Sequence, residues 1–129
     1  MERRSINPWQ WQEPLGFQQG VETTGGRVLW CAGQVSVDAD GTVVPGDMAA
    51  QIAKSLDNLE EVLAGAGLTL SNVVRVTWYV TSIEQFREAA PIHRARLSEA
   101  GCQAASTLVQ VAGLAYPELL VEVTATAVA

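Results

Sequence analysis

The residue of this sequence best suited to acid–base chemistry is Glu122, a carboxyl group within the apolar run of residues 119–128. An acidic side chain held among valines, where a neighbouring surface excludes water, can take up and release a proton near neutral pH. Acidic residues on strands usually face solvent, and the residues alone favour that interpretation. Glu122 is therefore a candidate general acid or base whose role depends on what covers it.

The other side chains able to do chemistry stand apart from one another. His93 is the sole histidine and has no partner at ligand spacing, so we expect it to pack against or cap a helix. Cys31 and Cys102 match no C-x-x-C pattern, which predicts buried free thiols. Residues 65–67 (Gly-Ala-Gly) lack a following Gly-Lys and predict a helix end, not a phosphate loop. We expect no metal and no cofactor.

Size and charge exclude several classes of protein. A chain of 129 residues is expected to form a single domain over residues 1–129. Eight basic against fourteen acidic side chains give a net charge of −6, the wrong sign for binding nucleic acid through phosphates. The chain has no apolar run of membrane-spanning length and starts without a signal-peptide pattern, so we expect no membrane partner and a cytoplasmic location.

The first half of the chain predicts a hairpin followed by a helix. Residues 17–23 and 27–35 are strand-like runs on either side of the turn-prone Thr24-Gly25-Gly26. A loop with Asp-Gly and Pro-Gly dipeptides follows, and Asp47 can cap the helix after it. The apolar residues that recur there at helical spacing are Ile52, Leu56, Leu59 and Leu63.

The second half predicts a strand, a helix and two more strands. Residues 72–80 alternate between two faces, as in a strand. Ser82 and Gln85 have the form of a capping box at the start of a helical stripe. The runs 106–111 and 119–128 are rich in β-branched residues and predict the last two strands. The predicted order is β-β-α-β-α-β-β.

This order predicts an α+β fold in which both helices cover one face of a mostly antiparallel sheet. The second face of that sheet is then bare. Because the strands place apolar residues on both faces, we expect copies of the chain to pack against each other through it.

Several segments, in this order and spacing, resemble the YjgF/RidA family of enamine and imine deaminases. The segments that carry the resemblance are residues 15–21 (LGFQQGV), 32–35 (AGQV), 51–59 (QIAKSLDNL), 73–80 and 121–128. The resemblance implies a chorismate-mutase-like fold and a homotrimer. In such a trimer the sheets form a central barrel, and a small-molecule ligand binds in each of three clefts between neighbouring subunits.

One signature residue of the family is missing. The family has a carboxylate-binding arginine, followed by a serine or threonine, at the start of the penultimate strand. Here Ser106 occupies the arginine position and Thr107 the next one. A shift of one residue would put Ala105 or Thr107 in that place, so no register restores the arginine.

Other family positions are retained or changed. The glutamate of the last strand is present as Glu122, and the glycine whose backbone lines the cleft is present as Gly33. The aromatic position near the start is Phe17 in place of tyrosine, and Ala90 falls where the family has asparagine. Leu108, after Thr107, is expected to add an apolar wall together with Phe17 and with Trp9 or Trp11.

The resemblance implies a hydrolase or deaminase in which Glu122 assists water attack on an enamine, an imine or a related small electrophile. Without the arginine, binding of 2-aminoacrylate loses a charge-assisted contact, so we expect a larger or uncharged ligand. Four other arginines are candidates to compensate for the missing one, but most of them are expected to be solvated surface charges. They are Arg75 on the strand of residues 72–80 and Arg87, Arg94 and Arg96 on or near the second helix.

Two other interpretations stay open or are disfavoured. A non-catalytic trimer could bind a metabolite in the same clefts, with Glu122 accepting a hydrogen bond from the ligand. A ribonuclease is disfavoured by the charge of −6 and the lack of paired histidines.

Overall fold

The structure, a computed structural model, describes residues 2–129. Within that range it contains six strands, two α-helices and two short 3-10 turns. The elements in chain order are β1 (Glu2–Ile6), β2 (Gly20–Thr24), β3 (Val28–Trp30), α1 (Met48–Gly65), β4 (Val73–Val80), α2 (Ile83–Glu99), β5 (Ala105–Gln110) and β6 (Val121–Val128).

The main sheet has four strands in the order β3-β6-β4-β5. β6 runs antiparallel to β3 and β4, whereas β4 and β5 are parallel and joined by α2, the kind of crossover that parallel neighbours require. Buried residues of β4 and β6 pack with both helices in one apolar core. The predicted α+β architecture, with two helices on a mostly antiparallel sheet, is confirmed.

Both predicted helix starts are present. Asp47 accepts a hydrogen bond from the Ala50 backbone N–H at 2.9 Å, and Ser82 accepts one from the Gln85 N–H at 3.2 Å. These caps satisfy N–H groups that have no partner within the helix. The predicted apolar stripe of α1 is buried throughout. α2 continues through Pro91, which lies on its exposed side.

The predicted hairpin between residues 17–23 and 27–35 is wrong. β2 pairs with β1 in a separate two-stranded sheet, while β3 pairs with β6. The turn between them carries positive φ angles at Gly25 (71°) and Gly26 (78°), and it leads the chain from one sheet into the other. β1 was not predicted because its sequence, ERRSI, is polar. An Arg4–Glu22 pair joins it to β2 at 3.1 Å.

The face of the main sheet that points away from the helices is called the open face here. Its central positions on β4 are Arg75, Thr77 and Tyr79. Its apolar side chains are concentrated on the edge strands, where Trp30 is 77% exposed and Val109 is 38% exposed. The open face is therefore more polar at its centre than the sequence predicts.

No helix within residues 2–129 has the length and apolar character needed to cross a bilayer.

Candidate functional site

A cavity of about 330 Å³ lies between α2, the helix-facing side of β4 and β5, and residues 15–17. Trp78 of β4 lies on its strand side, and Phe86 and Leu97 of α2 line it from the helix. This volume is within the range of small-molecule sites, roughly 300–1,000 Å³. The cavity is mainly apolar in lining, which suits a ligand that carries a hydrocarbon or aromatic group.

Four residues expected at the ligand site line this cavity. They are Phe17, Ala90, Ser106 and Leu108. Ser106 and Leu108 pair with Val76 and Trp78 of β4, so all four strand residues point to the helix side of the sheet. The chain thus brings together residues from three distant parts of the sequence.

The segment that carries Phe17 is fixed by amide hydrogen bonds. Asn7 donates to Gln18 Oε1 at 2.7 Å and accepts from the Gln19 backbone N–H at 2.8 Å. The Gln18 backbone N–H donates to the Ala104 carbonyl at 2.9 Å, which attaches the segment to the start of β5. These contacts hold Phe17 at the cavity.

Trp9 and Trp11, expected as further walls, do not line the cavity. Their exposed fractions are 59% and 62%. Trp11 reaches the site only through an edge contact with Phe17, with ring centroids 5.9 Å apart.

Thr107 lies on the opposite side of the sheet from Ser106, because successive residues of a strand alternate between faces. Its hydroxyl accepts a hydrogen bond from Arg75 Nη2 at 2.6 Å on the open face. Of the candidate ligand residues, Thr107 is thus separated from the cavity of its own chain.

Glu122 also lies on the open face, half-buried and opposite Tyr79 in the pairing of β4 with β6. Gly33 is beside it. A Cβ atom added at Gly33 would collide with the Glu122 carboxyl group, so the missing side chain gives that group its space. Paired hydrogen bonds between the Gln34 and Val123 backbones, at 2.7 and 3.0 Å, fix this approach.

Apart from Thr107, which is bonded to Arg75 on the open face, the candidate residues therefore form two groups on opposite faces of one sheet. We call Phe17, Ala90, Ser106 and Leu108 the cavity group, and Gly33 and Glu122 the Gly33–Glu122 pair. Within one chain the sheet separates them.

His93, which was expected only to pack against or cap a helix, lines the cavity. Its ring lies 5.2 Å from the Trp78 ring and 4.8 Å from the Phe86 ring, measured between centroids. Burial, with a smaller effect from the Arg94 charge, lowers the pKa of His93 to about 4. The imidazole is neutral at pH 7.

Cys102 also lines the cavity and is buried. Burial raises the pKa of its thiol to about 11, so it is protonated at neutral pH. A protonated thiol is a weak nucleophile, which makes covalent catalysis by Cys102 unfavourable.

Two of the arginines near the second helix, Arg87 and Arg94, line the cavity; Arg87 is exposed, as expected, whereas Arg94 is half-buried. The third, Arg96, reaches α1 and pairs with Asp57 at 2.7 Å and Glu60 at 3.3 Å. The apolar stripe of the second helix identifies the residues that face the core. It does not determine whether the arginines beside that stripe contact the cavity.

Within residues 2–129, no three His, Cys, Asp or Glu side chains are grouped as they would be to hold a metal ion.

Comparison with known proteins gives consistent matches. A family model described as Endoribonuclease L-PSP matches residues 13–129. Protein DfrA of Myxococcus xanthus is 32% identical over 116 residues, which are 88% of this chain and 87% of that protein. The 2-iminobutanoate/2-iminopropanoate deaminase of Escherichia coli (strain K12) is 31% identical over 83 residues, 64% of this chain and 63% of that protein.

Solved structures show the same architecture. The Rid-family protein YyfB from Yersinia pestis aligns with a TM-score of 0.90 and 40% identity, covering 100% of both chains. Rv2704 from Mycobacterium tuberculosis, a member of the YjgF/YER057c/UK114 family, aligns with a TM-score of 0.67 and 29% identity, covering 99% of this chain and 100% of that one.

Proposed function

The chain belongs to the YjgF/RidA family, and from this premise we propose that it hydrolyses an imine or enamine with release of ammonia. The reaction takes place in clefts between three copies of the chain. Glu122 assists the attack of water. The relative named 2-iminobutanoate/2-iminopropanoate deaminase supports the reaction class.

The cleft is completed by two subunits. The cavity group of one copy meets the Gly33–Glu122 pair of its neighbour. The open face of that neighbour packs against the β5 edge of the first copy. The separation of the two groups within one chain supports this arrangement. The cavity group has an enclosed volume but no carboxyl, and the Gly33–Glu122 pair has a carboxyl but no enclosed volume. Trp30 and Val109, apolar and exposed on the edges of the open face, are available for burial between copies.

The chemistry requires one titratable group and one water molecule. Protonation of an enamine at carbon gives the imine. Water then adds across the C=N bond, and expulsion of ammonia leaves the carbonyl compound. Glu122 takes the proton from water and returns a proton to the nitrogen that leaves.

The single observation that carries this proposal is the contact between Gly33 and Glu122. A carboxyl group occupies the space of an absent side chain, on a backbone fixed by paired hydrogen bonds. A carboxylate that served only solubility would need no such space.

Small 2-aminoacrylate is a poor substrate under this proposal. At the strand position where the family has its arginine, Ser106 offers only a neutral hydrogen bond, worth about 0.5–1.5 kcal/mol net, so a carboxylate as small as 2-aminoacrylate is held weakly at this strand. The apolar lining also favours a ligand large enough to fill it.

The test is ammonia release from a set of imines of varied size, generated in situ, with Glu122→Gln as the variant. Loss of a positioned acid–base group is expected to lower kcat at least about 100-fold while ligand binding is retained. Glu118→Gln, an exposed carboxyl group just before β6, is the matched control and is expected to keep full activity. Equal rates in Glu122→Gln and the wild type would exclude the carboxyl from the mechanism.

A non-catalytic metabolite-binding trimer is the alternative. His93 and Cys102 line the cavity, and both are neutral at pH 7, so they supply no acid–base pair beside a bound ligand. This favours the non-catalytic alternative. This alternative predicts that the protein binds the same imines and that neither the wild type nor any variant releases ammonia from them.

A further inference from the structure

The cavity lining is basic although the protein is acidic. The chain has fourteen Asp and Glu against eight Lys and Arg, yet the lining that one chain supplies to the cavity contains Arg87 and Arg94 and no carboxylate. The two arginines are about two turns apart on α2, so they lie on the same side of the helix and flank Ala90. This wall carries a local positive charge.

Neither guanidinium has a partner among the residues that the structure describes. Within residues 2–129 the Arg87 and Arg94 side chains make no hydrogen bond or ion pair, whereas Arg96 of the same helix is paired with two carboxylates. Arg94 is half-buried and Arg87 is exposed. An unpaired, partly desolvated arginine is well suited to bind an anion, because its planar fork matches a carboxylate.

The interior beyond these arginines carries no charge at neutral pH. Trp78 and Phe86 are 3% and 6% exposed and form an aromatic surface with His93. His93 and Cys102 are neutral. The cavity therefore has a cationic side and an apolar side within about 330 Å³.

We propose that Arg94, assisted by Arg87, binds the carboxylate of a ligand whose remainder is an aromatic or branched apolar group that packs on Trp78 and Phe86. This deepens the proposed function by naming the substrate class of the same cleft: amphipathic monocarboxylates. Of the two expected alternatives, a larger or an uncharged ligand, it keeps the first and replaces the second. The anion is held from the helix side of the cavity.

The experiment is isothermal titration of the full chain with three probes that cannot react. They are 3-phenylpropanoate, its neutral amide and propanoate, which separate the effects of charge and apolar group. The wild type is expected to bind 3-phenylpropanoate at least about tenfold more tightly than either other probe. Equal affinity for the acid and the amide, or no binding of the acid, would overturn the proposal.

Arg94→Gln and the double variant Arg87→Gln/Arg94→Gln assign the contact. Each is expected to weaken the binding of 3-phenylpropanoate about tenfold or more and to leave the affinity for the amide within twofold of the wild type. Arg96→Gln removes the same charge from the same helix without touching the cavity, and it is expected to bind all probes as the wild type does. An equal loss in Arg96→Gln would assign the effect to overall charge and contradict the proposal.

The outcome is separable from that of the proposed function. Charge-dependent binding without ammonia release from any imine would support this anion site and contradict the hydrolase. Ammonia release with carboxylate binding unchanged in the double variant would support the hydrolase and contradict the anion site.

Discussion

Among single residues, His93 shows how the surroundings set the charge of a group. Its ring packs on Trp78 and Phe86, and burial lowers its pKa from the ordinary 6.5 to about 4. The folded protein therefore holds a neutral imidazole, while the unfolded chain protonates it as the pH falls below about 6.5. The stability from this difference is present above pH 6.5 and is lost as the pH falls toward 4.

We predict that His93→Leu removes part of the acid sensitivity of the fold. Between pH 7.5 and 5.0 the wild type is expected to lose about 2 kcal/mol of unfolding free energy through this group. The variant lacks the imidazole and is expected to keep that free energy. Urea unfolding followed by circular dichroism, at one protein concentration, measures the difference. An identical pH dependence in both proteins would assign the whole effect to carboxylates.

The site residues were predictable to different extents. The strand positions Ser106 and Leu108 follow from alternation, which also places Thr107 on the other face, whereas the family resemblance groups all three in one cleft. Arg87 and Arg94 were not predictable as cavity residues. Helical periodicity identifies the buried stripe, but the contact of its flanks with a strand depends on how α2 is rotated against the sheet.

At the level of the elements, the helices were predicted well because their signals are local. A capping side chain and an apolar stripe act within one or two turns, and both are visible in the sequence of α1. Strand partners depend on distant residues. The runs around β2 and β3 were identified as extended, but their pairing with β1 and β6 was not, because a turn sequence alone does not exclude a more favourable distant partner.

The N-terminal cap of α1 gives a prediction at this level. Asp47→Ala removes the acceptor of the Ala50 N–H and is expected to lower the unfolding free energy by about 1 kcal/mol. Urea denaturation measures it. Asp40→Ala, in the exposed loop before the helix, makes no comparable side-chain contact and serves as the control; an equal loss there would contradict the role of the cap.

For the whole molecule, the proposed function makes assembly a condition of activity, because the two groups of candidate residues lie on opposite faces of the sheet. A trimer is expected in solution, with three times the mass of one chain by light scattering. The cleft would then exist only where two copies meet.

Mixed trimers test this arrangement directly. Ser106→Trp blocks the cavity group, and Glu122→Gln removes the carboxyl, so each variant alone is expected to be inactive. Coexpressed in equal amounts, they are expected to recover about one quarter of wild-type ammonia release, because random assembly gives that share of intact clefts. No recovery, with trimers formed, would place the complete site within one chain.

The tryptophans occupy contrasting environments, with Trp78 buried at 3% exposure beside the cavity and Trp30 at 77% exposure on the open face. Their fluorescence should therefore separate into a blue component inaccessible to acrylamide and a red component that is readily quenched. The first would respond to occupancy of the cavity. The second also contains the exposed Trp9 and Trp11, so these two would be replaced by phenylalanine to leave Trp30 as the reporter of contact between subunits. One unlabelled sample would then report both equilibria.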